Sequence, residues 1–258
     1  MIDSGSVART LVRHWRQGSR IDAIAPSGHP SSRAEGYAIQ ACWPTAAGSP
    51  AIGWKIAATS AAGQRHINVD APLAGRLLAY MRLEAGATVP LAHSLMRVAE
   101  VEIAFRFASA LPPRPGPYGV DEVLAAVGSV HPAIEFPDSR FADFCAVGAA
   151  SLIADDACAD RFMLGPAAPA WRHLDLAALS LSATVNGSEH HDGRGSNALG
   201  DPRVALAWIV NELSGLGLAM GAGEFVITGA CVKPVPVVPG DEFRASYGEL
   251  GEMSARFA

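Results

Sequence analysis

Residues 98–107 read VAEVEIAFRF, a run of strand formers interrupted by two acids. Val98, Val101, Ile103, Phe105 and Phe107 favour extended backbone. In a strand, residues two apart share a face, so Glu100 and Glu102 stand side by side on one side of an apolar element. Carboxylates that close repel, and burying them is costly unless something positive compensates. One resolution is an edge strand with both acids in solvent, where charge discourages aggregation. A third acid points the other way. Glu135 lies inside the apolar stretch AIEF, and a buried glutamate is rare unless paired. Three carboxylates on apolar strands form an oxygen-only set suited to a hard divalent cation, Mg²⁺ or Mn²⁺, with positions left for water and substrate. Zinc would favour His or Cys, and neither is in phase here.

Lysine usage singles out a second group. Of 20 basic residues only Lys55 and Lys233 are lysines. Arginine replaces lysine on a solvated surface, but not where a proton must move, because guanidinium stays charged. Lys55 lies inside AIGWKIA, a short apolar strand. The alternative is a solvated or capping lysine.

The chain of 258 residues is half apolar, enough for one main core with a small appendage. Its net charge of −5 and the absence of a basic stripe exclude nucleic acid as an expected partner. Apolar runs are broken well before membrane-spanning length, so no membrane partner is expected. MIDSGSVARTLVRHW has no apolar core of a secretory signal. Cys42, Cys145, Cys158 and Cys231 form no CxxC and read as reduced thiols of a cytoplasmic protein.

Periodicity predicts an amphipathic helix over 5–17 and a second helix from the Ser32/Glu35 capping box to about Cys42. Asp121 is expected to cap a helix reaching about Val127, and Asp201-Pro202 to open another that stops near Gly215 or Gly217. LPPRPGPYG is a loop. HPAIEF, FVITGA and the segment after VVPGD read as strands, and SATVNG ends a strand in a hairpin turn. Residues 70–90 are mixed. The pattern predicts an α+β fold: a mixed, curled β-sheet forming a catalytic domain over 76–258, with a small N-terminal helical region, 1–75, in front of it.

From about residue 50 onward the chain resembles the fumarylacetoacetate hydrolase superfamily, in its 2-keto-4-pentenoate hydratase and 4-oxalocrotonate decarboxylase branch. GWKIAATS, AEVEIAF, HPAIEFPDSR, LIADDACADRFMLG, LGDPRVALAWIVNEL and ITGACVKPVPVVPGD occur in the family's order. The resemblance implies a β-roll fold and a homo-oligomer. It implies a metal held by Glu100, Glu102 and Glu135. It implies a 2-oxo or 2-hydroxy-dienoic acid chelated through its carboxylate and C2 oxygen. Lys55 falls at the family's active-site lysine, to hold the substrate carboxylate or donate a proton. Thr228 and Gly229 are expected to offer donors to the substrate. Lys233 has no consistent family counterpart and is expected to be structural or to tune specificity.

Two departures stand out. Asp156 occupies a place where the family usually has asparagine. In DAPLAG, residues 70–75, Asp70 is kept but Leu73 replaces a second acid that is a candidate for activating water. Asp70, or His66 nearby, is the expected substitute. The loss of that second acid weakens a hydratase reading and leaves room for decarboxylation, which needs no added water. The resemblance keeps hydration of a short dienoate, as in aromatic catabolism, as the leading expectation. Decarboxylation or C–C hydrolysis is the alternative, and a non-catalytic oxo-acid-binding homologue the third.

Overall fold

The computed structural model describes residues 2–168 and 170–258. Helices α1 (Ser4–Gln17), α2 (Arg33–Gln40) and α3 (Trp43–Ala47) precede strand β1 (Ala51–Ala57), and α4 (Ala61–His66) separates it from β2 (Leu73–Leu78). Short β3 (Arg82–Leu83) and β4 (Thr88–Val89) lead to the long β5 (Val98–Phe107). Then come α5 (Val120–Ala125), β6 (Val127–Phe136), α6 (Gly148–Ala154), β7 (Arg161–Leu164), β8 (Ser180–Val185) and β9 (Glu189–Arg194). Helix α7 (Pro202–Gly215), β10 (Phe225–Ala230), β11 (Val235–Pro236), β12 (Glu242–Ser246) and β13 (Glu252–Phe257) complete the described elements.

Local chemistry explains most boundaries. Asp3 accepts the Ser6 amide at the start of α1, and Gly18 ends the helix at φ 61°. Ser32 accepts the Glu35 amide, while the Glu35 carboxylate bonds the amide and hydroxyl of Ser31. Asp201 accepts the Arg203 amide with Pro202 at the first position of α7. Asn186 and Gly187, at φ 53° and 69°, supply the left-handed backbone of the three-residue turn, 186–188, that joins β8 to β9. The expected cap of α5 is corrected. Gly119 precedes the helix with no side-chain bond, and Asp121 lies in its first turn.

The strands form two sheets. The larger is mixed and curled, in the order β2-β1-β10-β5-β6-β7-β3, with β11 also on β5. Strand β1 runs parallel to β10, which lies antiparallel to β5. The smaller sheet runs β4-β13-β12-β8-β9. Strand β5 is thus a central strand, and its two acids are not on an edge. One apolar core contains Val101, Ile103, Phe105 and Val226 together with Leu206, Ile209 and Leu213 of α7. A second joins Leu11, Ile39 and Trp43 of the N-terminal helices to Leu77, Ala104, Phe162 and Ile227 of the sheet.

The large sheet begins at Ala51. Strand β1 lies inside it between β2 and β10, and residue 75 falls within β2. The helical element proper therefore ends before Ala51. The apolar AIGWKIA run leaves it because its backbone groups are satisfied by ladders on both sides.

Candidate active site

Register builds the carboxylate cluster. Strand β5 pairs antiparallel with β6, with Glu100 opposite Glu135 and Glu102 opposite Ala133. Opposed residues share a face, and so do residues two apart. All three glutamates therefore project from one face of the sheet, and one carboxylate oxygen from each lies within 4.8 Å of the others. Glu102 and Glu135 are buried and Glu100 partly so.

A bulge secures Glu102. Along β10, Ile227 pairs with Ala104, but the next partner of β5 is Ala230 with Glu102, so β10 carries an extra residue. The Gly229 amide leaves the ladder there and donates to Glu102 Oε2 at 2.5 Å. Gly229 adopts φ 109°, and a Cβ on it would lie 2.1 Å from Thr59 Oγ1. The position accepts only glycine.

Lys55 faces the cluster from β1. Its Nζ lies 3.0 Å from Glu135 Oε1 and donates to the Ala157 carbonyl at 3.0 Å. Burial works against its charge, but Glu135 first, then Glu100, outweigh it, and the ammonium is held above its ordinary value. Ala157 belongs to an unusual turn. Asp156, Ala157 and Cys158 have φ of 57°, 50° and 62°, three left-handed residues in a row and none a glycine. That conformation costs about 1–2 kcal/mol per residue. It persists because its surroundings over-determine it. Asp155 accepts from Ser139 and from the Arg140 amide and guanidinium. Arg140 also donates to the carbonyls of Asp155 and Ala159. Asp156 Oδ1 accepts the Arg76 amide at 2.6 Å.

The remaining expected residues divide. Thr228 and Gly229 are buried beside the cluster, but their donors are engaged within the protein: Thr228 Oγ1 donates to the Ile103 carbonyl at 2.8 Å and the Gly229 amide to Glu102. Asp70 is exposed between α4 and β2, and among the described residues it makes no hydrogen bond or ion pair with the cluster or Lys55. His66 is exposed against Phe144. Leu73 is fully buried in the larger core. Lys233 is exposed. Sequence reasoning missed the Ala157 carbonyl. Its only signal is the unbroken DDAC run without a glycine, which says nothing of a left-handed turn. Clefts of about 430 and 520 Å³ lie elsewhere, one beside Tyr37 and Trp208, one beside Trp15 and Tyr80. Neither is lined by Lys55 or a triad glutamate.

The cluster's chemistry fits a divalent cation. Among the described residues both Glu135 oxygens are buried without a hydrogen-bond partner, with Lys55 beside Oε1 as an ion pair. Burial pushes Glu135 up to about 7 against the pull of Lys55. Burial, then the charges of Glu135 and Glu100, push Glu102 well above the usual carboxylate range. Glu100 is raised by burial against Lys55. Three crowded, poorly satisfied carboxylates facing one point are an arrangement that a bound cation relieves.

A family model for the fumarylacetoacetate hydrolase C-terminal region matches residues 55–258. A 2-hydroxyhexa-2,4-dienoate hydratase of Comamonas testosteroni is 36% identical over 216 residues, covering 82% of this chain and 80% of that one. A 2-keto-4-pentenoate hydratase of Paraburkholderia xenovorans (strain LB400) is 30% identical over 253 residues, covering 97% and 93%. The solved structure of 4-oxalocrotonate decarboxylase from Pseudomonas putida G7, complexed with magnesium and adipate, superposes with a TM-score of 0.90 at 29% identity, covering 99% of this chain and 97% of that one.

Proposed function

The chain belongs to the fumarylacetoacetate hydrolase family, and from that membership and its site we propose a metal-dependent lyase of short 2-oxo and 2-hydroxy-dienoic acids, a hydratase of the 2-keto-4-pentenoate type serving aromatic catabolism. The observation that carries the reading is the convergence of Glu100, Glu102 and Glu135 on one point, with the unpartnered oxygens of Glu135 beside Lys55. The three carboxylates hold Mg²⁺ or Mn²⁺. When bound, the cation supplies Lewis acidity to the substrate's oxygens.

The chain's own residues do the rest. The Ala157 carbonyl takes one Lys55 hydrogen-bond donor and Glu135 holds the ammonium as an ion pair, which leaves donor capacity for the substrate. Through it Lys55 Nζ holds the substrate carboxylate or delivers a proton to the conjugated carbon chain. The Gly229 amide holds Glu102 in the cluster, where it would serve as one of the cation's ligands. Thr228 fixes the bulge that presents that amide. Asp70, exposed on the loop between α4 and β2, is the acid we propose for an incoming water, in place of the one that Leu73 replaces. The protein acts in the cytoplasm as a homo-oligomer.

A second reading, decarboxylation of a 4-oxalocrotonate-type acid, is favoured by Leu73. That side chain is wholly buried in the core, where it can activate no water, and decarboxylation needs none added. Incubation with Mg²⁺ across a panel of 2-oxo and 2-hydroxy-dienoic acids separates the two. A product one water heavier supports the hydratase, and released CO₂ with no such product supports the decarboxylase. No conversion of any acid in the panel overturns the lyase reading.

A further inference from the structure

Asp156 is a buried carboxyl for which the mechanism above has no use. It is fully buried. Its Oδ1 accepts the Arg76 amide, and its Oδ2 has no partner among the described residues. Strand β2 lies at the end of the large sheet, next to β1 alone. The Arg76 amide is therefore a free sheet-edge donor, and Asp156 supplies the acceptor. The same residue opens the left-handed turn whose middle member, Ala157, gives its carbonyl to Lys55. The turn is also pressed against the strand: a Cβ on Gly75 would lie 2.5 Å from the Asp156 carbonyl and 3.0 Å from Lys55 Cδ. Asp156, Gly75 and Lys55 are thus packed into one joint.

We propose that Asp156 is a positioning residue for Lys55: by tying the 156–158 turn to the edge of β2, it presents the Ala157 carbonyl to the Lys55 ammonium. The inference rests on Lys55 being the working lysine, but its test needs no turnover. Most other fastenings of the turn act on its flanks, and from the loop after β6 the Asp138 amide donates to the Cys158 carbonyl. Arg140 and Ser139 hold Asp155, and Arg140 holds the Ala159 carbonyl. Among the described residues, only the Asp156 side chain hydrogen-bonds the left-handed residues to β2, the strand that borders Lys55.

The tie is also sensitive to protonation. The groups facing Asp156 are the backbone and guanidinium of Arg76 on β2, Arg140 from the loop after β6, and Asp155 beside it; Lys55 lies across Gly75 on β1. Burial dominates over the pull of Arg76 and Arg140, and the carboxyl is pushed up to about 8. At neutral pH it is mostly uncharged. Above pH 8 it becomes a buried anion with one oxygen unsatisfied, and the turn loosens. Asparagine matches the neutral acid in shape and keeps the acceptor for Arg76, and it has no proton to lose.

The two lysines make the test direct. Amine-selective acylation of the Mg²⁺-loaded protein, read by peptide mass spectrometry, follows Lys55 with exposed Lys233 as internal standard. In Asp156→Ala the Lys55 rate relative to Lys233 should rise about tenfold, the equivalent of one lost hydrogen bond. Asp156→Asn should restore most of the protection. An unchanged Lys55 rate in the Ala variant, or an Asn variant as open as the Ala one, overturns the proposal. If the Ala variant does not fold, Asp156→Leu, which keeps the side-chain volume and removes the acceptor for the Arg76 amide, takes its place, and Lys55 labelling no faster than in the Asn variant refutes the role.

Discussion

At the scale of single residues, Glu135 chooses between a proton and a cation. Its carboxyl, pushed up to about 7 from an ordinary 4.5, is protonated in much of the protein below neutrality. Cation binding must displace that proton, so Mg²⁺ affinity should fall up to about tenfold per pH unit below 7. The metal-free fold follows the same sign. A carboxyl raised on folding contributes stability that is full below pH 4.5 and lost as pH climbs through 7. The Mg²⁺-induced rise in melting temperature should therefore be larger at pH 8 than at pH 6, and equal shifts would refute this. Glu100→Gln and Glu135→Gln should each abolish Mg²⁺-dependent turnover while leaving far-ultraviolet circular dichroism unchanged, because side-chain volume is kept and one ligand charge is lost. Lys55 offers a sharper contrast. If it donates a proton, Lys55→Arg and Lys55→Met both lose turnover, by about 10²–10⁴. If it only anchors the carboxylate, the Arg variant keeps much of its turnover and the Met variant mainly raises KM. Wild-type kinetics in the Met variant would show the residue to be structural. The three glutamates were legible because a strand's period of two and an apolar run around an acid are both written in sequence. The Ala157 carbonyl and Gly229 amide were not, since a backbone group has no side chain to read.

At the scale of elements, legibility followed local chemistry. The Ser32 and Asp201 caps and the Asn186-Gly187 turn act within a few residues, and each lies where its side chain or backbone freedom implies. Residues 70–90 resisted because β3 and β4 are two-residue strands that find their partners far along the chain; β3 pairs with β7 and β4 with β13. Asp121 failed as a cap because Gly119 already supplies the extended residue before α5. The bulge in β10 makes an element-scale prediction. Gly229→Ala places a methyl group 2.1 Å from Thr59 Oγ1 at a φ of 109°. It should cost about 2 kcal/mol or more in stability and withdraw the amide from Glu102. Chemical denaturation and Mg²⁺ titration of the variant would check both. Unchanged Mg²⁺ affinity would mean that the amide does not orient Glu102.

At the scale of the whole molecule, the curled mixed sheet with a helical element in front was legible from the alternation of long strands with few helices. The place where that element ends was not, because only long-range pairing shows that β1 belongs to the sheet. We expect a dimer or larger homo-oligomer, which light scattering at micromolar concentration would show; a clean monomer would refute it. The parallel pairing of β1 with β10 has one more consequence. Gly53 and Phe225 are neighbours in that ladder, so the strand that bears Lys55 leaves the ribosome long before the strand that bears Gly229. Such distant pairings close late and slowly. Until Phe225–Ala230 has been made, Lys55 has no parallel neighbour and Glu102 no amide. Nascent chains stalled before that point should hold their helices yet lack any cation affinity, and assembly of the site should be among the last steps of folding.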